Sequence, residues 1–442
     1  MGKQELSKLE QRILDAYIRK TPKSKQLFDR ARESIEGGVY SAVQATQPYP
    51  IYMTHGRGSK TYDVDGNEYL DCNLNAGPTL LGHCHPEVTE AVKRVIDRGL
   101  LISHPAFGIE CAELLREIIP CAEKVTFSST GSEINIYAVR VARAFTGKNK
   151  IIKFYGQYAG VDDQFLVGLH SFSDEIVSSG VPKESVVNTV LLKFNDIDAV
   201  KRKLAEDSDI AGIIVEPCVS MGGIFPPSRE YLTELRQLTR EYGVVLIFDE
   251  VITGFRLAPG GAQEYFGVTP DLATFSKAIA SGAKLSALAG RTEIMNALLP
   301  GEGRKAAFHG GTFNTGTIAL AAAIATLKVY KRLGKSGEYQ RLFQRAENLK
   351  AGIEMIFRKR GVPCHINMLG PYLKVFFTDV KPSFEAYCEL DPTVPDLFFL
   401  SLIPQGIWPY VRRSILLSFA HTDGDIEKIT GAINSSFDEY GF

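Results

Sequence analysis

Short apolar runs alternate with helix-periodic segments through the middle of this chain. Strands are predicted over 125–128, 151–154, 190–193, 212–216, 244–249, 272–276 and 287–290, and helices over 133–144, 228–242 and 317–330. The run Val244-Val245-Leu246-Ile247-Phe248 is apolar throughout and mostly β-branched or aromatic, the mark of a strand buried on both faces. Strands separated by helical segments need crossover connections, which predicts a large, mainly parallel seven-stranded α/β sheet. Ahead of it, residues 1–35 read as amphipathic helices broken at Thr21-Pro22, then an irregular stretch over 39–52. A hairpin follows over 60–70, turning at Asp65-Gly66. Beyond Leu333 the pattern becomes a charged helix over 338–360, strands at 372–377 and 416–419, and a closing helix over 423–440. The expected organisation is an arm and hairpin (1–72), a large domain (73–330) and a smaller α+β domain (331–442), with the arm packing on the small domain.

Bulk properties narrow the function classes. The chain has 442 residues, 45% of them hydrophobic, enough for a large core. Its net charge of -1 gives no field that would favour nucleic acid or a membrane surface. Seven cysteines occur without a CxxC pair, which argues against a disulfide framework or a zinc ribbon. His83-Cys84-His85 has no second ligand pair, so no metal is expected. With neither an apolar signal core near the start nor an uninterrupted apolar run of membrane-spanning length, the expectation is a cytoplasmic enzyme.

Candidate chemistry gathers where strands end. Ser128-Ser129-Thr130-Gly131-Ser132-Glu133 joins a strand to a helix, and its N–H groups and hydroxyls could hold a phosphate or simply cap the helix. Asp249 and Glu250 close the 244–249 strand, and alternation sends them to opposite faces. Ligands of open α/β sheets sit beyond the carboxyl ends of strands, which favours Asp249. Lys277 ends the next strand and is a Schiff-base candidate, with Lys284 its rival. Tyr158 follows another strand end, where a ring can stack on a planar ligand or pack in the core. No G-x-G-x-x-G follows a strand, and Gly334-Lys335-Ser336 lacks the first glycine of a phosphate loop.

The chain resembles the class III, fold-type I aminotransferases, most closely their glutamate-1-semialdehyde aminomutase-like branch. The resemblance rests, in order, on residues 62–69, Leu81-Gly82-His83 with His85-Pro86, Thr130-Gly131-Ser132-Glu133 and Ile214-Val215-Glu216-Pro217. It continues through residues 246–256, Ser276-Lys277 and Ala420-His421-Thr422-Asp423. It implies pyridoxal 5'-phosphate held by Lys277, with Asp249 on the pyridinium nitrogen, Val251 and Tyr158 on the two ring faces and Glu216 nearby. Thr130, Gly131 and Ser132 would form the phosphate cup. It further implies a homodimer with shared active sites, in which Thr312 reaches the neighbour's cofactor, and a reaction between a small amino donor and an oxo acceptor. Ser41, Gln44 and Ala76 fall at substrate positions.

Four departures from the branch bear on the substrate. Tyr158-Ala159-Gly160 replaces the common Tyr-His-Gly, and Asn75-Ala76-Gly77-Pro78 replaces Ser-Trp-Gly-Pro. Losing that indole enlarges the pocket. Gln44 aligns with the aminomutase's carboxylate-binding arginine, and Arg413, beside Arg412, aligns with the acid that supports it. The expectation is therefore an aminotransferase for a bulky, aromatic or β-amino substrate whose carboxylate meets Arg412 or Arg413. An aminomutase, racemase or decarboxylase on the same scaffold is the alternative.

Overall fold

The computed structural model describes residues 2–41, 44–301, 305–410 and 413–442. Strands β1 (Met53–Arg57), β2 (Lys60–Asp63) and β3 (Glu68–Cys72) form an antiparallel meander near the N-terminus. The central sheet comprises β4 (Lys124–Ser128), β5 (Lys150–Phe154), β6 (Thr189–Leu192), β7 (Ile210–Val215), β8 (Val245–Asp249), β9 (Leu272–Phe275) and β10 (Ser286–Gly290). Its order is β4-β10-β9-β8-β7-β5-β6. Neighbours from β6 through β9 run parallel, and β10 alone is antiparallel to both β9 and β4. This is the seven-stranded, mainly parallel sheet that the apolar runs predict, with bounds shifted by two residues at most. The C-terminal part adds β11 (His365–Leu369), β12 (Tyr372–Phe376), β13 (Ile407–Pro409) and β14 (Ser414–Leu416).

Three of these strands escape the sequence pattern for a common reason. β1, β11 and β13 are short and lack clean alternation, so their pairing comes from neighbours distant in sequence. β13 lies parallel to β3, with Trp408 opposite Asp71, which ties the N-terminal meander to the C-terminal segment. The helix Lys3–Lys20 adds to this tie by packing Leu9 and Ile13 with Leu397 and Tyr440. The strand expected over 416–419 begins instead at Ser414, and Phe419 has left the sheet to donate to the Leu80 carbonyl at 2.9 Å.

Two apolar layers sandwich the central sheet. On one face, Ile151, Ile214, Val245, Ile247 and Leu272 pack beneath Ile134, Ala138 and Val141 of the helix Gly131–Thr146. That helix begins in a capping box between Thr130 and Glu133 and ends at Gly147, whose φ of 70° is a left-handed cap. On the other face Ile152, Ile213, Phe248 and Phe275 join the larger core. No described helix is long and apolar enough to cross a membrane.

Candidate active site

Strand direction and alternation together build a polar edge. β7 and β8 end side by side, and pairing of Val215 with Phe248 leaves the next residues, Glu216 and Asp249, opposite one another. Both carboxylates are buried. Asp249 follows Ile247 onto the face covered by the helix Gly131–Thr146, where Asn135 donates to its Oδ2 at 2.7 Å and the Val251 N–H to its Oδ1 at 3.1 Å. Asn135 also donates to the Ala159 carbonyl at 2.9 Å and accepts from the Thr274 hydroxyl at 2.7 Å. One amide thus fixes the carboxylate against three elements. Its sequence signal was a polar residue amid the apolar positions Ile134, Ala138 and Val139 of an amphipathic helix, a place that demands hydrogen-bond partners.

Glu216 is held as firmly. Its backbone exchanges two 2.9 Å hydrogen bonds with the Gln157 side chain, and its Oε1 accepts from the Tyr158 N–H at 3.0 Å. Tyr158 is thereby placed at this edge, half-buried. Lys277 follows β9 directly and adopts a φ of 40°, a strained conformation for a residue with a Cβ. Lys284 is exposed on the loop beyond.

Electrostatics follow from burial. Desolvation raises the Asp249 carboxyl above its ordinary range, with the Val251 and Asn135 hydrogen bonds and the charge of Lys277 pulling it back. Glu216 is raised by desolvation and then by the charge of Asp249 beside it. Lys277 is lowered by desolvation, against the pull of both carboxylates, so the lysine is biased toward its nucleophilic free amine.

Glycine makes room around this cluster. A Cβ on Gly131 would lie 3.1 Å from Val251, and one on Gly77 (φ 113°) would lie 2.9 Å from Arg256 and 3.8 Å from Lys277. Gly77 closes a left-handed run of Leu74, Asn75 and Ala76, with φ of 50°, 53° and 65°. Asp71 caps the run through the Asn73 and Leu74 N–H groups, both at 2.9 Å, and Arg256 holds its far end by donating to the Gly77 carbonyl at 2.5 Å. Arg256 is buried, and its Nη1 has no hydrogen-bond partner among the described residues. Sequence reasoning did not single out either Asn135 or Arg256.

Thr130, Gly131 and Ser132 open the helix beside Val251, where first-turn N–H groups have no intrahelical partner. The Ser132 hydroxyl accepts from the Val161 N–H at 3.2 Å. Gln44 and Ala76 come together in a cavity of about 420 Å³ that also has Tyr40, Asn75, Trp408 and Tyr410 in its walls. Ser41 is exposed and just outside those walls, its carbonyl accepting from the Gln44 N–H at 2.9 Å. Thr312 is exposed in the segment 308–313, which Tyr137 secures by donating to the Gly310 carbonyl at 2.8 Å. Arg413 lies elsewhere: it pairs with Asp396 at 3.1 Å, rests 6.0 Å from the Tyr387 ring and faces a different cavity of about 200 Å³. Arg412 is outside the described residues.

Glu250 points away from this edge, as alternation requires. Its carboxylate accepts from the N–H groups of Ala262 and Gln263, the Gln263 amide and the Thr253 hydroxyl, at 2.5–3.2 Å. Glu250→Ala is expected to cost about 3 kcal/mol or more by stranding buried donors, as read by chemical denaturation. The folded fraction should keep its cofactor affinity; a selective loss of that affinity would contradict the separation of the two carboxylates.

Residues 40–381 match the model of a family described as aminotransferase class-III. A glutamate-1-semialdehyde 2,1-aminomutase from Archaeoglobus fulgidus is 36% identical over 423 residues, covering 94% of this chain and 100% of that protein. Among solved structures, an omega-transaminase from Sphaerobacter thermophilus aligns with a TM-score of 0.88 at 30% identity, over 95% of this chain and 98% of that one. A beta-phenylalanine aminotransferase from Variovorax paradoxus aligns with a TM-score of 0.86 at 28% identity, over 99% and 98%.

Proposed function

This chain belongs to the class-III aminotransferases, and we propose that it moves an amino group between a bulky, uncharged-side-chain or β-amino donor and an oxo acceptor. It is a fold-type I enzyme whose cofactor is pyridoxal 5'-phosphate. The residues present fit that group: an amine at Lys277, a buried carboxylate at Asp249, and first-turn N–H donors with a hydroxyl at Gly131 and Ser132. Bound there, it supplies an electron-withdrawing ring that weakens the Cα–H bond of an attached amine. Lys277 anchors it, and its Nζ takes and returns the substrate's proton. Asp249, oriented by Asn135, would hold a proton on the ring nitrogen. Thr130, Gly131 and Ser132 would hold the phosphate, Val251 and Tyr158 would flank the ring, and Glu216 would support the edge beside it.

The observation that carries the substrate reading is the cavity holding Gln44 and Ala76. Its described walls are aromatic (Tyr40, Tyr52, Trp408, Tyr410) and amide (Gln44, Asn73, Asn75), with no charged side chain among them. Among these described residues an acidic side chain would find no partner for its charge, which burial penalises. Ala76→Trp is expected to raise KM for bulky amines about tenfold or more while sparing small ones, since filling such a pocket removes apolar contact. Equal effects on both would count against Ala76 as a wall of the substrate site.

A second reading, an aminomutase, draws on the 36% identity to such an enzyme along nearly the whole chain. Turnover without added oxo acid separates the two: an aminotransferase stops after one half-reaction, whereas a mutase continues on a single substrate. Continued turnover of glutamate 1-semialdehyde without an acceptor would overturn the aminotransferase reading.

We also propose that two copies share their active sites. Leu100, Ile109 and Phe313 are 64–66% exposed and gather near the start of the helix Thr317–Lys335, where the Leu100 carbonyl accepts from Thr317. A second copy would cover this apolar surface and bring its Thr312 segment to the neighbouring site.

A further inference from the structure

The polar edge contains a lysine that the proposed reaction does not use. Lys153, in β5, is 1% exposed, and its ammonium donates to the Val167 carbonyl at 3.1 Å. Alternation sets its side, because Ile151 packs in the same layer as Ile214 and Ile247. Register sets its height: Ile152 pairs with Ile213, so Lys153 stands opposite Ile214, one side-chain step below Glu216. Glu216 in turn stands opposite Asp249. Lys153, Glu216 and Asp249 therefore lie on three adjacent parallel strands, all on the face beneath the helix Gly131–Thr146, with Lys153 one step behind the two level carboxylates.

Two buried carboxylates facing one another cannot both stay ionised without compensating charge. Lys277 also faces this cluster, interacting with Glu216 and then Asp249, and Arg256 lies close enough to act on Lys277. Lys277 approaches from β9, beyond β8, whereas Lys153 approaches from β5, next to β7. That leaves Lys153 as the cation on Glu216's side of the cluster. Burial lowers the Lys153 ammonium to about 7, and Glu216 and then Asp249 act in the opposite direction, so the three groups interact.

We propose that Lys153 is a positioning residue: its buried ammonium compensates Glu216, so that the facing carboxylate of Asp249 remains free for the cofactor. This rests on the assignment of Asp249 and Lys277 to pyridoxal phosphate. The test has one arm that needs no cofactor, a double-mutant cycle on the apoprotein's thermal midpoint. K153M should lower Tm by several degrees, and E216Q, which removes the charge needing compensation, should recover at least half of that loss. The second arm measures pyridoxal phosphate affinity by absorption titration: K153M should weaken it about tenfold, and K153M/E216Q should recover most of the loss. If K153M alone does not fold, soluble K153M/E216Q supports the proposal, and failure of both variants overturns it. Additive effects overturn it as well, because they mean that Lys153 serves only the Val167 carbonyl and local packing. If the stability cycle couples while K277A keeps full cofactor affinity, the assignment to pyridoxal phosphate fails and the charge cluster stands.

Discussion

Lys277→Ala is expected to reduce kcat by about four orders of magnitude, because it removes the amine that both anchors the cofactor and moves the proton. The fold should survive, since Lys277 is only partly buried and belongs to none of the apolar core clusters. Borohydride trapping followed by peptide mapping identifies the lysine directly. In the wild type the cofactor should be recovered on the peptide containing Lys277, and in the variant on none. Recovery on a peptide containing Lys284 would overturn the assignment. The structure argues against that result: Lys284 is solvated, whereas Lys277 lies beside Asp249 and Glu216 and is lowered by desolvation toward its reactive form. External amines such as ethylamine should restore part of the lost proton transfer, which separates the loss of a base from a general collapse of the site.

Asp249→Asn is expected to lower kcat by a factor on the order of 10²–10³, the scale for removing one preorganised electrostatic contact. An amide is nearly isosteric, so the cost falls on charge rather than shape. The variant should also hold its cofactor more weakly and shift its visible absorption. Asn135→Ala provides the companion measurement. It leaves the charge and removes the 2.7 Å hydrogen bond that orients it, so its effect should be smaller and in the same direction. A larger loss in Asn135→Ala than in Asp249→Asn would show that Asn135 matters for the fold more than for the carboxylate.

The central sheet was legible because β7, β8, β9 and β10 are buried throughout. Burial on both faces requires continuous apolar runs, and the helices between them impose parallel connections, so order along the chain nearly dictates the architecture. Alternation, a purely local rule, sent Asp249 and Glu250 to opposite faces, and the strand-end placement with the family resemblance chose between them. The placement of Arg413 was not legible. Whether a side chain joins one cavity or another depends on the local backbone conformation: Arg413 has a left-handed φ of 61° and meets Asp396 and Tyr387 rather than Ala76. Arg256 was missed for a related reason. Its partner is a carbonyl 179 positions away, in a left-handed run whose residues Leu74, Asn75 and Ala76 carry no sequence mark of that conformation.

By itself the sequence determined which residues end the strands, on which face each falls, and hence that a carboxylate and a lysine meet at one edge. Periodicity and chain connectivity suffice for this, because both are local properties repeated along the chain. Only the tertiary structure decided how that edge is oriented and enclosed. Asn135 turns Asp249, Gln157 locks Glu216, Arg256 and Asp71 hold the strained wall at Ala76, and Lys153 completes the cluster from beneath. Apart from the local Asp71 cap, these depend on groups separated in sequence finding hydrogen-bond partners in the buried interior, where an unpaired polar group is costly. That requirement acts on the assembled fold, and no stretch of the chain states it alone.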